Sequence, residues 1–208
     1  IMHFSDLTLA TTTHNNYQML ASMLSSFESN QGTVDKIVIV DDGSRRPCAL
    51  PPVSSGVRLI RNEQPHGFCQ ASDMALRAVR TRYALLVDAD VLFEPGDFAG
   101  GYREFQNGKW AWVNFRQKNF QGVEQSSYEQ PLMPPWIFAA GNQALKWWEK
   151  FQRPPAAQPG SRIVDVEAAH SSCTLVNMEA FRAADGFDHW YWQCQSDIDL
   201  SLRLRKAG

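Results

Sequence analysis

The chain has 208 residues, 44% of them hydrophobic and 20% charged, with a formal net charge of -2 at pH 7. That length suits one sizeable domain around a single core. The near-neutral balance excludes the broad basic surface that would hold nucleic acid or an anionic membrane by charge. No apolar run approaches the ~20 residues that span a bilayer, and no secretory leader is visible.

In chain order, residues 7–12 (LTLATT) read as a short strand. Residues 15–29 carry Tyr17, Leu20, Ala21, Leu24 and Phe27 at helical spacing. Residues 35–40 (DKIVIV) form a β-branched run of the kind buried on both faces, and it ends in DDGS. Residues 57–61 are another short strand, and 68–79 a helix with Ala71, Met74, Ala75, Ala78 and Val79 on its apolar side. Residues 83–87 (YALLV) form a fourth strand, 96–107 a helix, and 110–115 (WAWVNF) a strand.

Residues 118–162 differ in character. PLMPPW and RPPAAQPG oppose long regular elements. They predict a long, partly helical insertion covering one face, and such insertions are often functional. Residues 164–166 and 173–176 read as strands and 178–184 as a short helix. Residues 197–206 read as a helix ending at a glycine, although Ile198, Leu200, Leu202 and Leu204 alternate.

Strands alternating with helices imply an α/β fold with a mostly parallel sheet. In such sheets ligands bind beyond the carboxyl ends of the strands. Thr12, Asp41, Asp42 and Asp88 all fall at such ends.

The stretch LLVDADVLFEPG then poses a problem. An apolar strand ends in two carboxylates one residue apart, Asp88 and Asp90, with no basic residue beside them. Like charges this close suit a site for a cation. A haloacid-dehalogenase-type phosphatase also carries Asp-x-Asp, as nucleophile and acid, but on the first strand of its core, whereas three strands precede Asp88 here. A nucleotidyltransferase would carry a glycine-rich, Arg-containing loop after its first strand; TTTHNN has no glycine.

Four segments in order carry a resemblance: TTTHNN; VIVDDGS; the block from RNEQPHGFCQASDMAL to YALLVDAD; and CTLVNMEAFRAADGFD followed by QSDIDLSLRLRKAG. Over nearly all its length the chain resembles the family-2 glycosyltransferases. The resemblance implies the GT-A fold, an α/β nucleotide-diphospho-sugar transferase fold with a mostly parallel central sheet flanked by helices. It implies one catalytic domain over 1–208: a nucleotide-sugar-binding half (1–117), the Pro/Trp-rich insertion (118–162) and an acceptor-side half (163–208).

It also implies an inverting transfer of a sugar from a nucleotide-diphosphate donor to a hydroxyl of a glycan, lipid-linked or small-molecule acceptor. The cofactor would be a divalent metal, Mn²⁺ or Mg²⁺, held by Asp90 and Asp88. Such a cation takes oxygen ligands and neutralises charge developing on the leaving diphosphate. By the same resemblance Thr12, His14, Asp42, Gly67 and Asp88 contact the donor, with Asp42 on the base and Asp88 toward the ribose or the metal's water shell. His14 stands where Tyr is frequent, and Asp73 where Asn is frequent.

The family's Glu-Asp pair reads Ser196-Asp197 here, which leaves Asp197 as the base; Asp199 would cap its helix or pair with an arginine. Many members continue past the position of Gly208 with a segment adding a His or aromatics to the site. The resemblance thus leaves a third metal ligand to be found, with His170 and His189 as candidates. Trp190, Tyr191 and Trp192 serve either an acceptor floor or core packing.

The four cysteines, Cys48, Cys69, Cys173 and Cys194, form no Cys-x-x-Cys pair, against a zinc or dithiol site. Scattered thiols fit a reducing compartment, hence a cytoplasmic location, with peripheral membrane attachment left open. The alternative function is a non-catalytic binding module of this fold within a larger enzyme.

Overall fold

Helical and strand periodicities in the sequence resolve into a sheet with helices on both faces. The structure, a computed structural model, describes residues 2–48, 50, 52–129, 143–144, 147 and 163–207. The first four strands are β1 (His3–Thr13), β2 (Thr33–Asp41), β3 (Gly56–Arg61) and β4 (Tyr83–Val87). β5 (Trp112–Asn114) is followed by the two-residue strands β6 (Gln117–Lys118), β7 (Glu124–Gln125), β8 (Tyr128–Glu129) and β9 (Ala168–Ala169), then by β10 (Cys173–Asn177). The helices are α1 (Tyr17–Asn30), α2 (Phe68–Arg77), α3 (Phe98–Asn107), α4 (Met178–Ala183) and α5 (Ser196–Ala207).

The main sheet has the order β3-β2-β1-β4-β10-β5. β1 pairs in parallel with both β2 and β4, and β2 with β3. Two chain directions therefore diverge between β1 and β4, where open α/β sheets leave a crevice at the carboxyl rim. β10 runs antiparallel to β4, with Cys173 opposite Val87. This reversal brings residues 170–172, just ahead of β10, to the rim where β4 gives way to Asp88.

The central strands are apolar at nearly every position because both faces are covered. On one face Leu7, Leu9, Ile37, Ile39 and Leu85 meet Leu20, Met23, Leu24 and Phe27 of α1 and Phe98, Tyr102 and Phe105 of α3. On the other, Ala10, Val38, Val40, Ala84 and Leu86 meet α2, α4 and α5 through Ala71, Ala75, Leu76, Phe181, Leu200 and Leu204. The alanines of α2 let its backbone lie close to the sheet.

Two strand expectations differ from the sequence reading for physical reasons. β1 begins at His3, four residues before its apolar run. Asp6 breaks the pattern, accepting Tyr102 Oη at 2.7 Å and Gln106 Nε2 at 2.8 Å, while His3 and Phe4 already pair with Thr33 and Val34. Residues 164–166 are not a strand, because Arg205 Nη1 donates to Asp165 Oδ1 at 2.6 Å and to the Val166 carbonyl at 2.9 Å. A side chain thus takes the group a ladder would use. The alternating leucines of 197–206 lie on a helix, with Ile198, Leu200 and Leu204 buried.

Of the expected insertion, the described beginning is a small antiparallel pair, Gln117–Lys118 with Glu124–Gln125. Residues 143–144 and 147 are helical, and the rest of 130–162 lies outside the described residues. Among the described residues no helix is long and apolar enough to cross a membrane.

Candidate active site

The two aspartates of DDGS go opposite ways, because consecutive residues at a strand end face opposite sides. Asp41 is fully buried and pairs with Arg61 Nη1 at 3.2 Å, while accepting Tyr17 Oη at 3.2 Å and Ser44 N–H at 3.0 Å. Asp42 accepts Asn62 Nδ2 at 2.8 Å and the backbone N–H groups of His66 and Gly67, each at 2.9 Å. Asp41 thus holds the end of β2 to α1 and β3. Asp42 gathers the 62–67 loop over the rim.

Thr12 is half-buried and His14 exposed at the end of β1. His14 Nδ1 lies 2.7 Å from the Asp42 carbonyl oxygen, which can only accept, so Nδ1 carries the proton. Nε2 then accepts from Asn15 Nδ2 at 2.7 Å.

Gly67 caps α2 with φ +86°. A Cβ there would sit 2.6 Å from the Trp192 carbonyl oxygen and 2.9 Å from its indole. Only glycine permits both that conformation and that approach. One residue thus joins the Asp42 side of the rim to the segment leading into α5.

Asp88 follows β4, its N–H donating to the Ser172 carbonyl at 2.9 Å. Asp197, in the first turn of α5, accepts Ser171 N–H at 3.1 Å and Ser171 Oγ at 3.3 Å through Oδ2. The 170–172 turn therefore joins the two residues, holding the backbone of Asp88 through the Ser172 carbonyl and the carboxylate of Asp197 through Ser171. Asp88, His170, Ser171, Gln193, Cys194 and Asp197 line one cavity of about 450 Å³. Burial pushes the Asp88 carboxyl up to about 7 from its ordinary 3.8, reinforced by the charges of Asp90 and Asp197. Asp90, by contrast, is exposed.

Among the described residues no Lys or Arg forms an ion pair with Asp88, Asp90 or Asp197. No group of three or more His, Cys, Asp or Glu side chains among them is set to hold a metal. Two uncompensated carboxylates at an open rim nonetheless suit a hard divalent cation whose other ligands are water and substrate phosphates.

His170 lines this cavity, whereas His189 is engaged elsewhere. Its Nε2 lies 2.9 Å from Asp73 Oδ2, which also takes Arg77 Nε at 2.7 Å, while Asp73 Oδ1 accepts Phe187 N–H at 3.0 Å. Asp199 pairs with Arg203 at 2.8 Å.

Sequence reasoning missed Ser171 and Arg61. Ser171 had no signal beyond a polar pair, HSS, ahead of an apolar strand. Arg61 closes a strand and could have been paired with the buried carboxylate one strand over.

The sign of the Asp88 shift gives a checkable consequence. A carboxyl raised in the folded chain favours folding while protonated, and this contribution disappears as pH rises through about 7. With divalent cations chelated, the melting temperature of the wild type should fall more between pH 5 and roughly 7.5 than that of Asp88→Asn, whose amide does not ionise. Parallel pH profiles for the two would refute the burial of this carboxyl.

The sequence profile of Glycosyl transferase family 2 matches residues 8–181. The chain belongs to glycosyl transferase family 2. Its sheet and flanking helices are the GT-A fold, shared with solved structures at 14% identity. TarS 1-349 of S. aureus has a TM-score of 0.63, covering 95% of this chain and 54% of that one. The same protein in complex with UDP-GlcNAc has a TM-score of 0.63, with 95% and 52% covered. Mannosyltransferase PcManGT from Pyrobaculum calidifontis in complex with GDP-Man and Mn²⁺ has a TM-score of 0.57, with 94% and 50% covered at the same 14% identity. At that identity the likeness shows the fold alone, and this family 2 chain spans about half the length of those chains. A comparison with curated proteins finds no match.

Proposed function

We propose that this chain is the catalytic domain of an inverting, metal-dependent glycosyltransferase. It moves a sugar from a nucleotide-diphosphate donor to the hydroxyl of a glycan, lipid-linked or small-molecule acceptor. The observation that carries this reading is the convergence of carboxylates at the rim of the sheet: Asp88 and Asp197 line one cavity, and the charges of Asp90 and Asp197 both reach Asp88, with no Lys or Arg paired to them among the described residues. Family membership supports it, as do the ligands of the structural neighbours: UDP-GlcNAc in one, GDP-Man and Mn²⁺ in the other.

On this reading residues 1–117 bind the donor and 163–208 the acceptor. Asp42 orients the base while its other hydrogen bonds hold the 62–67 loop, and Thr12, His14 and Gly67 shape the same wall. Asp90 and Asp88 would hold Mn²⁺ or Mg²⁺, which would supply neutralisation of charge on the leaving diphosphate. Asp197 takes the proton of the acceptor hydroxyl as its oxygen bonds to the anomeric carbon. The bond to the diphosphate breaks on the opposite face, so a single displacement inverts that carbon. Ser171 holds Oδ2, and the Ile198 N–H donates to Oδ1 at 3.0 Å, so both oxygens of the base are oriented. The free thiols fit a reducing, cytoplasmic setting.

The test is a thermal-shift screen of UDP, GDP, TDP and CMP with and without Mn²⁺. A ligand at a hundredfold excess over its Kd stabilises by about 2.7 kcal/mol, or roughly 5–10 °C for a chain this size. One nucleoside diphosphate should give a Mn²⁺-dependent shift that disappears in Asp90→Ala. No shift with any of them would leave a non-catalytic module as the better reading.

A further inference from the structure

The segment between the Gly186 turn and α5 carries aromatic residues that the mechanism above does not use. Trp190 is 84% exposed and Trp192 61%, whereas Tyr191 between them is partly buried and packs against the core. Tyr191 therefore serves the core, and the two indoles keep most of their surface in water. Large exposed aromatic surface next to a cavity marks a binding site more often than chance exposure does.

The segment is held in shape. Asp188 Oδ1 accepts Trp190 N–H at 2.9 Å, and the Asp188 carbonyl accepts Tyr191 N–H at 3.2 Å. The Trp192 carbonyl accepts Cys69 N–H at 3.3 Å, and its indole packs on the bare backbone of Gly67. Trp190 meets Tyr191 edge to face with ring centres 5.4 Å apart. An aromatic pair fixed in this way loses little freedom on binding.

Beyond Asp188 and His189 the indole-bearing segment is neutral. Residues 190–196 (WYWQCQS) contain no charged side chain, and Gln193 and Gln195 lead directly into the cavity wall. Among the described residues lining that cavity there are two carboxylates and no Lys or Arg. A phosphate or uronate in the acceptor finds no Lys or Arg among those lining residues to receive it. Sugar rings offer CH faces to indoles and hydroxyls to amides, without charge.

We propose that Trp190 and Trp192 form the outer acceptor subsite of this chain, and that the acceptor is a neutral oligosaccharide whose terminal hydroxyl reaches Asp197. This rests on the glycosyltransferase reading above and narrows its acceptor class. Trp190 holds a sugar ring away from the reacting end, and Trp192 holds one nearer the cavity.

The test presents the wild-type chain with an array of neutral, uronic-acid-containing and phosphorylated oligosaccharides, followed by solution titration of the best binder. Neutral members should bind, Trp190→Ala should weaken binding about tenfold or more, and Trp190→Phe should restore most of it. Trp192→Ala should act the same way, but Trp190 decides the matter because its ring is the more exposed. Nucleoside-diphosphate thermal shifts should be equal in the wild type and the two Trp190 variants. Unchanged sugar binding in Trp190→Ala, a preference for charged oligosaccharides, or no neutral binder at all would each overturn the proposal. If the nucleotide shifts are absent in every form, it is the glycosyltransferase reading that fails, and the array result stands apart from it.

Discussion

Asp197→Asn is expected to lower sugar transfer by about 10²–10⁴-fold, the range for loss of a general base, with nucleotide binding unchanged. Asparagine keeps the shape of the side chain, and its carbonyl oxygen can still accept Ser171 N–H and Oγ, so the tie between α5 and the 170–172 turn survives, and only the Ile198 N–H loses its acceptor. What it cannot do is take the acceptor's proton. The competing carboxylate two residues on, Asp199, is committed to Arg203, whose Nη1 and Nη2 also donate to the carbonyls of Ala184 and Gly186 at 2.6 and 2.8 Å. Asp199→Asn should therefore weaken the fold around the Gly186 turn while leaving the chemistry largely in place. The measurement is kcat for both variants beside the Mn²⁺-dependent thermal shift with the preferred nucleotide. A kcat for Asp197→Asn within tenfold of wild type would remove Asp197 from the base role. Loss of the nucleotide shift in that variant would move it to the donor site instead.

The layout of the sheet was legible because its central strands are apolar on both faces, and a run such as DKIVIV can hardly be anything else. The rim carboxylates were legible for the same reason, since a charge ending such a run has to lie at an edge. Other features depend on strands far apart in sequence. That Asp41 is a buried ion-pair partner is settled by Arg61 arriving on β3. That Asp88 and Asp197 share a cavity is settled by β10 running backwards along β4, which no local pattern announces. The exposure of Trp190 and Trp192 was likewise open, because an aromatic-rich stretch reads the same whether it packs inward or faces water. The structure divides it one residue at a time.

Asp73 shows the same limit with the largest expected effect on stability. At sequence level it is a polar position on the small-residue helix, and an exposed helix aspartate changed to alanine costs within about 0.5 kcal/mol. In the fold Asp73 is 1% exposed and receives Arg77, His189 and the Phe187 N–H. A Cβ on Gly186, whose φ is +70°, would collide with its Oδ1, so the turn is shaped around this carboxylate. Asp73→Ala strands a buried backbone donor at Phe187 and takes the charged acceptor from Arg77 and His189, both half exposed, a loss of about 3 kcal/mol. For a chain of this size that lowers the melting temperature by roughly 6–12 °C. Arg77 keeps the Asp185 carbonyl at 2.6 Å, so the damage should stay local to the turn and to the tryptophan-bearing segment beyond it. Hydrogen exchange provides the check: the Phe187 amide should lose protection in Asp73→Ala ahead of the amides of β1 and β4. A drop of less than about 2 °C with protection intact would mean that Asp73 is no more than a helix-surface residue, and that something else holds the turn against α2.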